Sequence, residues 1–316
     1  MWPHGQRAKA PTESCVADET TGAEPDGISA PPQTPLYHAL QGARYTRQAQ
    51  IRAIEERTGR RLIAFVAGYM TAISTLDIPP FVDVLHDVEP GSNLDLLLHT
   101  PGGDVDQAER IVLLCRKRVG SGSFRVIVPD SAKSAGTLIA IAADTIVMGE
   151  PSELGPIDPQ VTITTVSGEP MRRPAQSFLD GLEEIVKASE KELSAAYFPL
   201  LDKLDPALID FCRKALLRSE QFAEKFLARY MLSDDPGKAK QVAEDLNNVK
   251  KHLSHGAVID ADRAVEMGLK VELLPHDDDL WQAYWRLYCE MRLALVNEGA
   301  RLYEGRRASL LFGDGS

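Results

Sequence analysis

The chain has 316 residues, 44% hydrophobic and 26% charged, with a formal net charge of −11. That length makes one large domain or two small ones, and it can bury a core without disulfide staples. The composition excludes collagen-like, wholly disordered and membrane-channel classes. The acidic balance argues against a nucleic-acid partner, which calls for a basic footprint.

Met1 to Thr34 is rich in Pro, Gly, Glu, Asp, Thr and Ser and reads as a disordered lead-in without a signal peptide. Tyr37 to Thr58 reads as a helix, and Leu62 to Val66 as a strand. The apolar run from Leu62 to Ser74 is shorter than the roughly 20 residues that span a bilayer. Ile78-Pro79-Pro80 opens a second helix, since proline is tolerated in a first turn. Leu94 to His99 is a strand, Thr100 to Gly103 a tight loop, and Asp104 caps a helix through about Val119. Phe124 to Val128 and Thr145 to Met148 are strands, with a small-residue helix from Ser134 to Ala143 between them. Strands alternating with helices mark βαβ units and a parallel sheet covered on both faces. From Pro174 onward the pattern is helical: a stretch with Phe178, Leu182, Ile185 and Leu193, then Leu208 to Leu232 and Ala239 to Leu253. A helix to Met267, a strand Leu269 to Leu274 and a long helix Asp279 to Tyr303 follow, and the last residues are expected to fray.

Two loops each follow a strand, where ligands bind in open α/β sheets. In His99-Thr100-Pro101-Gly102-Gly103, paired glycines let bare N–H groups approach a ligand; the alternative is a plain turn. In Pro129-Asp130-Ser131-Ala132-Lys133-Ser134-Ala135-Gly136-Thr137, a strand stops and a helix starts at Ser134. Its hydroxyl either caps that helix or serves as a nucleophile. Ser131, Lys133 and Thr137 have weaker claims. If the N–H groups of Gly103 and Ala135 converge, they make an oxyanion hole beside Ser134. No phosphate-loop or dinucleotide fingerprint is present, so no cofactor is expected. Cys15, Cys115, Cys212 and Cys289 stand far apart, and the seven histidines form no HExxH cluster, so no metal site is expected either.

The stretches LDLLLHTPGGDVDQAERI and RVIVPDSAKSAGTLIAIAADTIVMGEPSELGPIDPQ resemble the Clp-protease/crotonase superfamily. Within it the chain most resembles the serine dehydrogenase proteinase family, relatives of signal peptide peptidase A. The likeness runs from about Arg61 to Gln160 and resumes at SHGAVIDADRAVEMGLKVELL. It implies an α/β ββα spiral core with a helical C-terminal portion. The expected layout is a tail over 1–34, a peptidase domain over 35–275, and a C-terminal helix over 276–316 that could make an oligomer contact. The implied activity is ATP-independent peptide hydrolysis through an acyl-enzyme, by a cytoplasmic homo-oligomer acting on a peptide or protein. The nucleophile falls on Ser134 and the oxyanion donors on Gly103 and Ala135.

The base departs from the Clp pattern, because Glu153 to Asp158 contains no histidine. Signal peptide peptidases take a lysine from a later helix, which implies Lys187. A lysine base must be desolvated to be neutral. His255 is the alternative base, and Asp158, held between Pro156 and Pro159, could orient one. Two other readings keep the fold: a crotonase-like enzyme acting on acyl-CoA thioesters, and a non-catalytic scaffold.

Overall fold

In a computed structural model, residues 34–164, 168–189, 205–298 and 301–313 are described. The lead-in expected before Thr34, and Leu193, lie outside them. Contacts separate a unit Met1–Gln41 from a unit Gly42–Ser316, and the site lies in the second.

In chain order the elements are α1 (Pro35–Thr58), β1 (Arg61–Ala67), a 3-10 turn (Thr75–Asp77), α2 (Ile78–His86), β2 (Leu94–His99), α3 (Val105–Val119), β3 (Phe124–Val128), β4 (Ser131–Ala132), α4 (Ala135–Ile141), β5 (Thr145–Met148) and β6 (Glu153–Leu154). A hairpin of β7 (Gln160–Thr164) and β8 (Pro170–Pro174) precedes α5 (Ala175–Ser189), α6 (Pro206–Arg229), α7 (Pro236–Asn247), α8 (Val249–His252) and α9 (Ala261–Met267). Then come β9 (Val271–Leu273), α10 (Asp279–Glu298), β10 (Arg301–Glu304) and β11 (Ser309–Phe312).

Seven strands make one sheet in the order β11-β10-β1-β2-β3-β5-β9. Pairing is parallel from β1 through β9 and antiparallel at β10 and β11. Because side chains alternate along a strand, Leu94, Leu96 and Leu98 face the core shared with α2, α3, α4, α6 and α7. Leu97, Ile127 and Val147 face Ile51 and Ile54 of α1 and Trp281, Tyr284, Leu287 and Met291 of α10. Both faces are covered, as the short apolar runs require. The cap foreseen at Asp104 is made: its carboxylate accepts from the N–H groups of Asp106 and Gln107.

Two regions differ from expectation. The helix expected to reach Tyr303 ends at Glu298; Arg301–Tyr303, expected at its end, lie in β10, and Ser309–Phe312, expected to fray, form β11 on the edge of the central sheet. So the described residues of 276–316 are a helix followed by two strands of the central sheet. Trp281 is buried in the core, and Trp285 packs against it half-buried. Buried partners stabilise the polar strand β10: Glu304 meets Arg47 at 2.6 Å, and the Tyr303 hydroxyl donates to Asp77. Gln160–Thr164 and Pro170–Pro174, for which the sequence suggested no element, pair as the antiparallel strands β7 and β8.

A second, short ladder stands at the C-terminal ends of the central strands. β4 pairs in parallel with β6. Thr100 bridges to Ala132 on one side, and Leu154 bridges to Ile259 on the other. Four loops that are distant in sequence are thereby laid edge to edge.

Candidate active site

The glycine loop owes its shape to what surrounds it. Gly102 and Gly103 have φ of +106° and +147°, which L side chains rarely adopt. A Cβ on Gly102 would stand 2.8 Å from both the Lys133 carbonyl and the Ser134 Cβ, and one on Gly103 would overlap the Ile73 backbone. Only bare backbone can come this near Ser134. The loop is pinned by Ile73 N–H donating to Gly102 O at 2.7 Å and by Asp104 N–H donating to Ile73 O at 3.0 Å. Among the described residues, the Gly103 N–H has no partner.

Ser134 sits where β4 gives way to α4, with φ +51° and ψ −113°. For a residue with a Cβ such a conformation costs on the order of 1–3 kcal/mol and persists only where the surroundings enforce it. Here the Lys133 carbonyl accepts from Gly136 N–H at 2.7 Å, and Gly136 is pressed on Thr100, whose Cγ2 would lie 2.5 Å from an added Cβ. The side chain of Ser134 makes no capping bond, so the capping alternative fails. A serine on a sharp strand-to-helix turn presents its Oγ outward. Beside it, the N–H of buried Ala135 has no partner among the described residues.

The candidate bases are placed very differently. Lys187 is two-thirds exposed on α5 and pairs with Glu183 one turn earlier. The Glu183 carboxylate raises its pKa, whereas a lysine base requires a lowered one. The structure thus gives Lys187 the surroundings of a solvated helix lysine and does not bring it to Ser134. His255 lies in the turn before the Ile259 bridge, and its Nδ1 is 2.8 Å from Oδ1 of Asp158. Asp158 is 1% exposed, and its other oxygen accepts from Gln160 at 2.6 Å. His255 Nε2 has no partner among the described residues, and the side chain is 28% exposed. A histidine tethered at Nδ1 by a buried carboxylate and open at Nε2 has the geometry of a general base. Lys133 joins this turn to the serine: its Nζ donates to the carbonyls of Leu154 (3.0 Å) and Ala257 (3.3 Å). Thr137 is engaged with the carbonyls of Ala132 and Gly155.

Behind the two loops, on the α10 face, lies a group to which sequence reasoning gave no role. His99, fully buried at the end of β2, has Nδ1 3.4 Å from Ser131 Oγ, 3.5 Å from the Tyr288 hydroxyl and 3.6 Å from Asp130. Its Nε2 has no partner among the described residues. Burial lowers its pKa to about 4 against the pull of Asp130, and Arg292 adds to the lowering. The only sequence signal was a histidine closing an apolar strand. No cluster of three His, Cys, Asp or Glu able to hold a metal occurs among the described residues.

A covered parallel sheet, a glycine loop and a strained serine at adjacent strand ends define an α/β protein with a ClpP-like fold. The chain belongs to the family of ClpP-like SDH-type serine proteinases, whose pattern matches residues 34–278. It is 29% identical over 237 residues to the uncharacterized protein MJ1495 of Methanocaldococcus jannaschii, covering 70% of each chain. It is 33% identical over 181 residues to the uncharacterized protein MJ0137 of the same organism, covering 57% of this chain and 53% of that one. Two solved structures of mutants of the 1510-N membrane-bound stomatin-specific protease are also similar. One, at 15% identity and TM-score 0.40, covers 67% of this chain and 79% of that one. The other, with a substrate peptide, has 14% identity and TM-score 0.33, covering 70% and 95%. No described helix is long and apolar enough to cross a membrane.

Proposed function

We propose that this chain hydrolyses peptide bonds without ATP, with Ser134 as nucleophile and His255 as general base. Ser134 Oγ attacks the scissile carbonyl carbon while its proton passes to His255 Nε2. The N–H groups of Gly103 and Ala135 take up the developing oxyanion, each worth a few kcal/mol. The protonated imidazole, held at Nδ1 by Asp158, gives its proton to the departing amine. Water then enters by the same base and releases the acyl group from Ser134 as a carboxylate.

The observation that carries the reading is the uncapped, left-handed Ser134 beside two amides without partners among the described residues. His255 is preferred to Lys187 because it is paired with a buried carboxylate, whereas Lys187 is solvated. A homo-oligomer in the cytoplasm, as the family resemblance implies, completes the proposal. The test is labelling with a fluorescent fluorophosphonate followed by peptide mapping. Ser134 should carry the label, and Ser134→Ala should abolish both labelling and hydrolysis. Label on another serine, or hydrolysis surviving in that variant, would reject the assignment. His255→Ala should abolish turnover while Lys187→Ala keeps it; the reverse result moves the base to Lys187.

A further inference from the structure

We propose that Lys133 is a positioning residue that sets the approach of the His255 imidazole to the Ser134 hydroxyl. The inference rests on the reading of those two residues given above. Lys133 immediately precedes the serine, yet its side chain points away along the short ladder. Its Nζ donates to Leu154 O at 3.0 Å and to Ala257 O at 3.3 Å, and it meets Glu153 Oε1 at 2.9 Å. An ammonium has three donors and no acceptor, and all three are committed here. Lys133 therefore acts through geometry and does not take up a proton.

The three partners belong to two segments. Glu153 and Leu154 form β6, which pairs with β4, the strand that leads to Ser134. Ala257 lies two residues past His255; Ala257 N–H donates to Ser254 O and Gly256 N–H to Ser254 Oγ, and two residues further on the Leu154–Ile259 bridge joins the segment to β6. One side chain thus ties the residue before the nucleophile to the turn that carries the base. The site is built around the lysine stem. Its side chain is 16% exposed, and a Cβ on Gly155 would stand 2.8 Å from Lys133 Cδ. An apolar replacement would leave the Ala257 carbonyl without its donor in a mostly dry place, while Leu154 O keeps Ile259 N–H. The His255 turn would be held only by the Leu154–Ile259 bridge and the Asp158 contact, without its tie to the residue before the serine.

The test is a double-mutant cycle on the rate of fluorophosphonate labelling, with Lys133→Met, His255→Ala and the combined variant. Lys133→Met should lower the maximal labelling rate roughly 10- to 100-fold, the cost of misplacing a reacting group by about 1 Å. The concentration giving half-maximal rate should stay unchanged. In the His255→Ala background the same substitution should change the residual rate by less than about twofold, because the partner it positions is gone. An equal fall in both backgrounds would overturn the proposal and leave Lys133 a general support of the fold. If His255→Ala alone keeps the full rate, the base assignment fails and the coupling fails with it, an outcome distinguishable from the first. Should circular dichroism find Lys133→Met unfolded, Lys133→Gln, which retains an amide donor for Leu154 O, carries the same cycle.

Discussion

The strained turn at Ser134 makes an unusual stability prediction. Ser134→Ala and Ser134→Gly both remove the hydroxyl and should both abolish labelling, but they differ in what the backbone must bear. Alanine keeps a Cβ at φ +51° and ψ −113°, so it keeps the strain of the serine. Glycine relieves that strain, by about 2 kcal/mol as a midpoint for such conformations. Against this, glycine gains unfolded-state freedom worth about 0.7 kcal/mol relative to alanine. It also loses the contact of a half-buried Cβ beside Gly102, about 0.4 kcal/mol for half a methylene. The balance leaves Ser134→Gly more stable than Ser134→Ala by about 1 kcal/mol, the opposite of the usual order. At roughly 2 cal/mol/K per residue of unfolding entropy, that raises Tm by about 1–2 °C. Guanidinium denaturation of the two variants, with scanning calorimetry in support, measures the difference. A Ser134→Gly protein no more stable than Ser134→Ala would refute the claim that the fold enforces strain at this residue.

Other outcomes follow from the same geometry. Gly102→Ala should lose about 1–3 kcal/mol of stability and most of its labelling, because its methyl would press on the Lys133 carbonyl and the Ser134 Cβ; labelling at the parent rate would refute the close approach. His99 titrates near 6.5 when unfolded and near 4 when folded, so below pH 6.5 the unfolded chain binds a proton that the folded chain refuses. Its contribution to stability is full above pH 6.5 and falls by about 3 kcal/mol by pH 4; denaturation at pH 7 and pH 4.5 should show His99→Gln losing less than the parent. Burial raises the Cys115 thiol to about 12, so a thiol reagent should modify Cys115 only after unfolding; modification of the native protein at the rate of an exposed thiol would contradict that burial.

Much of the scaffold was legible because each signal was local. The apolar run Leu94–His99, the cap Asp104 and the breaker Pro129 fixed β2, α3 and the end of β3 without reference to anything distant. The C-terminal strands were not legible, since Arg301-Leu302-Tyr303 reads as the end of the long helix, and the polar groups of Tyr303 and Glu304 find their partners only at the distant Asp77 and Arg47. The candidate site divided in the same way. Ser134 and the glycine pair stand on turns that sequence can recognise, and both could be named. The contact between His255 and Asp158 joins residues 97 apart, and no periodicity announces such a pair. Lys187 was suggested by resemblance alone, and nothing in its own neighbourhood desolvates it.

The edge hairpin has a consequence for how the protein is made. Ala64 of β1 pairs with Glu304 of β10, and the ribosome makes them 240 residues apart. At about 5–20 residues per second, β1 emerges some 10–50 s before the strand that covers it. For that interval its outer backbone donors and acceptors stand open on an apolar strand, a template for pairing with a neighbouring nascent chain. A protein cut short before Arg301 would keep that open edge permanently. Its loss would then appear as self-association during synthesis, well before any defect in catalysis could be measured.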